Sequence, residues 1–129
     1  MHRLVHTIRF ESARKLTKVP KDHPCSNLYG LAFKLEIHID GVVDSSTGFV
    51  TDFNNIEKKF ESIKSQLDHN YLNEIKGLEN PTSENLIEWI WNNLESRLDG
   101  IVKLVLWENE VSRVCLLYTS DAADEGLGV

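Results

Sequence analysis

Residues 31–40 alternate strictly, with Phe33, Leu35, Ile37 and Ile39 on one side of the chain and Lys34, Glu36, His38 and Asp40 on the other. An extended chain points successive side chains to opposite faces, so this segment is a strand with one face buried and one wet. Residues 4–14, rich in β-branched and aromatic types, read as an earlier strand. Pro20, Asp22, Pro24, Asn27 and Gly30 make 15–30 a loop. The cluster Asp44-Ser45-Ser46-Thr47-Gly48 is a turn. Asp52 then caps a helix whose apolar residues Phe53, Ile56, Phe60, Ile63 and Leu67 recur at three- and four-residue steps. After a loop holding Gly77 and Pro81, Thr82 or Ser83 caps a second helix. It carries Leu86, Ile87, Ile90, Leu94 and Leu98 and is closed by Gly100. Val102, Leu104 and Leu106 alternate with Lys103 and Trp107 in a third strand, and a fourth begins at Val111. The order ββααββ predicts an α+β fold: an antiparallel sheet with two helices on one face.

The chain has 129 residues, and its 14 Lys and Arg against 20 Asp and Glu leave a net charge of −6. That length supports one core, hence one domain over 1–114. No apolar run reaches the ~18 residues of a membrane span. Met1–His6 lacks the apolar stretch of a signal peptide. Lys and Arg are scattered through an acidic chain, whereas a nucleic-acid platform needs a concentrated basic face. Cys25 and Cys115 are too few for a disulfide framework. These features describe a cytoplasmic protein with neither nucleic-acid nor membrane partners. Residues 115–129 differ from the rest and resemble the conceptual translation of a transposase-type sequencing adaptor. Within them, Cys115-Leu116-Leu117-Tyr118 is apolar and β-compatible, and is expected to complete the last strand. Residues 120–129 have no apolar periodicity and are expected to stay outside the core.

Few residues suggest chemistry. Cys25 lies beside His23 in a polar loop; a lone cysteine is usually a small buried hydrophobe, but this setting favours reactivity. Asp68-His69 follows the first helix. It is either a capping pair favoured by the helix dipole, or a carboxylate orienting an imidazole that moves a proton near neutral pH. Glu108 ends the third strand, where a carboxylate is most often simply solvated. His2, His6 and His38 have no metal-ligand spacing.

Their order and spacing resemble one family. Phe10-Glu11-Ser12-Ala13, Val19-Pro20-Lys21-Asp22-His23-Pro24-Cys25 and Leu28-Tyr29-Gly30 look like the opening of the 6-pyruvoyltetrahydropterin synthase family. Gly48-Phe49-Val50-Thr51-Asp52-Phe53, Leu67-Asp68-His69-Asn70-Tyr71-Leu72-Asn73 and Gly77–Asn85 resemble its later motifs. The similarity is strongest to the bacterial branch, 6-carboxy-5,6,7,8-tetrahydropterin synthase of queuosine biosynthesis. It implies a T-fold (tunnelling-fold) subunit in a homo-oligomer, trimer or hexamer, with pterin sites between subunits. The implied substrate is 7,8-dihydroneopterin triphosphate, and the implied products are 6-carboxytetrahydropterin, acetaldehyde and triphosphate. Cys25 falls on the proton-abstracting position, Asp68 and His69 on its acid–base partners, and Glu108 on the carboxylate that grips the pterin's nitrogen edge. Such a carboxylate can accept two parallel N–H bonds.

The resemblance breaks at the metal. The family holds one catalytic zinc through three histidines, and Arg14, Tyr29 and Leu31 occupy those positions here. Zinc needs nitrogen, sulfur or carboxylate donors, so no metal or other cofactor is expected in this chain. Three readings follow: a working synthase lineage whose ligand substitutions are engineered, erroneous or compensated, a zinc-free pterin-binding or structural homologue, and, ranked last, an Arg14–Tyr29 pair acting as a metal-free electrophile.

Overall fold

The computed structural model describes residues 1–118 of the chain. Two thirteen-residue strands, β1 (His2–Arg14) and β2 (Tyr29–Gly41), pair antiparallel from His2–Gly41 to Arg14–Tyr29. Next come α1 (Phe53–Leu67), β3 (Asn70–Tyr71), α2 (Ser83–Leu94), β4 (Ile101–Trp107) and β5 (Arg113–Leu117). The sheet order is β3-β1-β2-β4-β5.

Alternation decides which face is covered. Ile8 and Phe10 from β1, Phe33, Leu35 and Ile37 from β2, and Leu104 and Leu106 from β4 are buried in one cluster. Ile56, Phe60, Ile63 and Leu67 of α1 and Leu86, Ile87, Ile90 and Leu94 of α2 complete it from the other side. Each such side chain contributes about 1.5–3 kcal/mol on leaving water. The intervening residues, among them Arg9, Glu11, Ala32 and Lys34, face away from both helices and leave the second sheet face open.

Four details depart from the expected pattern. The sheet is mixed, because two-residue β3 runs parallel to β1, pairing Asn70 with Ser12 and Tyr71 with Ala13. A two-residue strand has too little sequence to show periodicity. The second helix stops at Leu94, and Leu98 reaches the core from the turn that follows. Gly100 therefore serves that turn and does not close the helix. Its φ is +84°, and a Cβ there would lie 2.8 Å from the Asp40 carbonyl oxygen. Finally, β5 starts at Arg113 and not at Val111, because the Asn109 side chain accepts from the Val111 and Ser112 amides, each at 2.8 Å, and holds them in a turn.

Residues 115–117 pair with 103–105 of β4, Leu116 packs on the core, and Tyr118 stacks on Trp91. The expectation for 120–129 lies outside the described residues. A chain ending at Val114 should melt about 5–10 °C below the full chain, since a few kcal/mol of pairing and burial are lost. A chain ending at Thr119 should melt close to it. Scanning calorimetry showing equal losses would contradict a stabilising role for 115–118.

Candidate functional site

The register that pairs the last residue of β1 with the first of β2 sets Arg14 beside Tyr29. Arg14 is buried, only 3% exposed, and its guanidinium is almost fully engaged. Nε donates to the Tyr29 hydroxyl (2.9 Å), and Nη1 donates to the Pro81 carbonyl (3.1 Å) and Ser83 Oγ (3.2 Å). Nη2 donates to Glu108 Oε2 at 3.2 Å, and the Ser83 hydroxyl donates to the same oxygen. The guanidinium also lies 5.4 Å from the Tyr29 ring centroid and 5.5 Å from that of Phe33. A buried charge is tolerable only when paired and hydrogen-bonded, and Arg14 is both.

Cys25 joins this group through the loop. Pro24–Ser26 forms a 3-10 turn in which His23 Nδ1 accepts from the Cys25 amide at 3.0 Å. The Leu16 amide donates to the Cys25 carbonyl at 2.7 Å and draws the turn toward the end of β1. Asn73 and Asn80 anchor the loop by hydrogen bonds to the Lys15 and Thr17 backbone. Burial raises the pKa of the Tyr29 phenol, the nearby Cys25 side chain raises it further, and Arg14 opposes both. Tyr29 is thus a neutral phenol whose hydroxyl accepts from Arg14, with the Cys25 side chain near enough to favour the neutral form.

Asp68 and His69 sit elsewhere, where α1 gives way to β3. The Asp68 amide caps α1 on the Lys64 carbonyl (2.8 Å), Oδ1 accepts from the Glu11 amide (2.9 Å), and Oδ2 lies 3.1 Å from His69 Nδ1. The Glu11 amide chiefly holds the Asp68 carboxyl below its usual pKa, burial opposes it, and His69 assists. The carboxylate is therefore ionised and available to orient the imidazole. His69 has φ +59°, an uncommon conformation for a residue with a Cβ. Its amide bonds the Glu11 carbonyl at 2.6 Å while its ring stays 77% exposed. That ring opens on a hollow of about 650 Å³ bordered by Ala13, Gly30, Ala32 and Tyr71. Among the described residues, no hydrogen bond links the pair to Cys25 or Glu108.

Of the residues singled out in the sequence, the structure thus gathers Arg14, Tyr29, Cys25 and Glu108 and keeps Asp68 and His69 apart. Leu31, on the same face of β2 as Tyr29, packs on the core. Glu108 Oε2 accepts from Arg14 and Ser83, and Oε1 has no hydrogen-bond partner among the described residues. Ser83 escaped the sequence reading except as a possible helix cap. The structure gives the cap to Thr82, which accepts from the Asn85 amide at 3.1 Å, and turns Ser83 inward. Nothing in the sequence distinguishes two adjacent hydroxyl residues that point opposite ways.

The zinc implied by the resemblance does not fit these donors. A guanidinium stays protonated and offers no lone pair, leucine has no donor, and the Tyr29 phenol is held neutral. No group of three or more His, Cys, Asp or Glu able to hold a metal occurs among the described residues. Nor is any helix there long and apolar enough to cross a membrane.

The sequence model described as 6-pyruvoyl tetrahydropterin synthase matches residues 3–117. A dihydroneopterin monophosphate aldolase of Pyrococcus furiosus is 33% identical over 109 residues, covering 82% of this chain and 89% of that protein. A 6-carboxy-5,6,7,8-tetrahydropterin synthase of Synechocystis is 35% identical over 91 residues, covering 67% of this chain and 69% of that protein. The structure of Caenorhabditis elegans 6-pyruvoyl tetrahydropterin synthase superposes with a TM-score of 0.84 at 19% identity, over 92% of this chain and 96% of that one, and shares the fold. A match spanning both long strands, both helices and the Arg14–Glu108 network places this chain in the 6-pyruvoyl tetrahydropterin synthase family.

Proposed function

We propose that this chain is a zinc-free relative of 6-carboxytetrahydropterin synthase that binds a 7,8-dihydroneopterin phosphate and acts on its three-carbon side chain in queuosine-type 7-deazapurine biosynthesis. The observation that carries this reading is the buried Arg14, whose permanent positive charge stands where the family's first zinc ligand would be and is bound to Glu108, Ser83 and Tyr29. The name of the Synechocystis relative supports the synthase class. That of the Pyrococcus relative supports a dihydroneopterin phosphate as substrate.

Each residue has a task in this reading. Glu108 Oε1 accepts an N–H from the pterin edge. Arg14 and Ser83 hold that carboxylate in one orientation. Cys25 removes the proton from the side-chain carbon, and Tyr29 fixes the thiol's position from a neutral hydroxyl. The Asp68–His69 pair returns protons to side-chain oxygens, with Asp68 stabilising the imidazolium that forms. Among the described residues no hydrogen bond joins Cys25 to the Asp68–His69 pair, and in this reading a homo-oligomer brings one subunit's pair to its neighbour's Cys25.

A second reading, a pterin-binding protein without turnover, is favoured by the occupied Oε2 of Glu108 and by that same separation. One sample decides between them. Elemental analysis should find far less than one zinc per chain, and the same protein should consume 7,8-dihydroneopterin triphosphate at a rate that chelator leaves unchanged and Cys25→Ser abolishes. Neopterin binding without turnover would establish the second reading. Turnover that depends on added zinc would overturn both.

A further inference from the structure

The turn that carries Cys25 is closed by an uncommon acceptor. Pro24 opens this 3-10 turn and has no N–H, so the Cys25 amide is the first donor that the turn must satisfy. His23 supplies the acceptor: its backbone is extended, with φ −70° and ψ 135°, and its Nδ1 lies 3.0 Å from the Cys25 nitrogen. Ser, Thr, Asp and Asn usually fill such a position, and their side-chain oxygens accept throughout the neutral pH range. An imidazole nitrogen accepts only while it keeps its lone pair. The bond therefore requires a neutral His23 with its proton on Nε2. A second proton would turn Nδ1 into a donor aimed at another donor.

The other bonds of the turn are indifferent to protons. The Ser26 and Asn27 amides donate to the His23 and Pro24 carbonyls, and the Leu16 amide donates to the Cys25 carbonyl. Ser26 Oγ lies 2.8 Å from the Lys21 and His23 carbonyl oxygens. These contacts keep the loop in place whether or not the cap is made. His23 is exposed, so solvent protons reach it. Its own loop brings Lys18, Lys21 and Asp22, the end of β1 brings Arg14 and Lys15, and the segment bound to Thr17 brings Glu79. None of these forms an ion pair with His23 among the described residues. Arg14 is permanently charged, and the Tyr29 phenol, its pKa raised, stays neutral, so neither changes charge between about pH 5 and 8. Histidine is the side chain whose ordinary charge change falls in that interval.

We propose that His23 is a positioning residue that holds Cys25 only in its uncharged form, so that the turn is a proton-sensitive clasp on the thiol. With the clasp closed, Cys25 is half-buried beside Tyr29; with it open, the thiol is freer to meet reagents and worse placed for chemistry. Losing one neutral hydrogen bond shifts such a local equilibrium by about three- to tenfold. In giving the clasp a catalytic consequence, the inference rests on the reading of Cys25 as the base; the clasp itself rests on the bond between His23 and the Cys25 amide.

The test is the rate of iodoacetamide alkylation at Cys25 from about pH 8 to about pH 5.5, read by peptide mass spectrometry on the full chain. Each rate is divided by that of the exposed Cys115 in the same molecule, which removes the fall in thiolate that both cysteines share. In the parent this ratio should rise about three- to tenfold as pH falls. His23→Asn, whose Oδ1 can accept the same amide and does not titrate, should stay flat at the parent's high-pH value. His23→Ala should stay flat at the parent's low-pH value. A flat ratio in the parent, a His23→Asn ratio that still follows pH, or a His23→Ala ratio like the parent's overturns the proposal. Turnover of 7,8-dihydroneopterin triphosphate is followed on the same samples. Relative to its own rate at high pH, His23→Asn should keep at least about threefold more kcat at low pH than the parent keeps. If the alkylation pattern holds and no protein turns over, the synthase reading falls and the clasp stands. If turnover is seen and the ratio stays flat, the clasp alone falls.

Discussion

Replacing Arg14 by leucine is expected to remove about 3–5 kcal/mol of folding stability, because Arg14 is the most deeply buried member of any ion pair among the described residues. Leucine keeps apolar contact with Phe33 but strands four acceptors: the Tyr29 hydroxyl, the Pro81 carbonyl, Ser83 Oγ and Glu108 Oε2. Glu108 is 31% exposed and can regain some water, which pulls the cost toward the lower end of the range. Arg14→Lys should fall between the two proteins, because one ammonium carries the charge but cannot span four acceptors in the guanidinium's geometry. Urea unfolding measures all three. A loss under about 1 kcal/mol in Arg14→Leu would mean that the buried network does not hold the ends of β1, β4 and α2 together.

Glu108→Gln should show a second large effect, on two readouts at once. Glutamine keeps the shape and removes the charge, so the buried guanidinium loses its only ion-pair partner among the described residues. Neopterin affinity should fall by about 1–3 kcal/mol, roughly five- to 150-fold, as expected on losing a charged hydrogen-bond partner. Stability should fall too, and less in an Arg14→Leu background than in the parent, because each change then removes part of the same interaction. Unchanged neopterin affinity together with lost stability would make Glu108 a purely structural anchor for Arg14.

The joint role of Arg14 and Glu108 bears on how such a site is read. Position by position, Arg14 registers only as a missing histidine and Glu108 as a strand-end carboxylate. Their contact spans 94 residues and depends on where β1 and β4 end, on the turn of α2 that brings Ser83 inward, and on Pro81 exposing its carbonyl. None of these is periodic, so none leaves a pattern in the sequence.

Periodicity determined what it could. The alternation of Phe33, Leu35, Ile37 and Ile39 and the three- and four-step spacing from Ile56 to Leu67 specify which faces are buried, because hydrophobic burial depends on local geometry that repeats every two or 3.6 residues. The motifs around Cys25 and Asp68 were likewise legible, as strings of residues. Register was not. Shifting β2 by one residue against β1 would exchange its faces, and only packing against both helices selects the pairing that opposes Arg14 with Tyr29 and Arg9 with Lys34. Arg9 and Lys34, 25 residues apart in the chain, thereby stand side by side with Glu11 and Glu36 on the same face, since neighbours across strands lie in a direction that sequence order does not record.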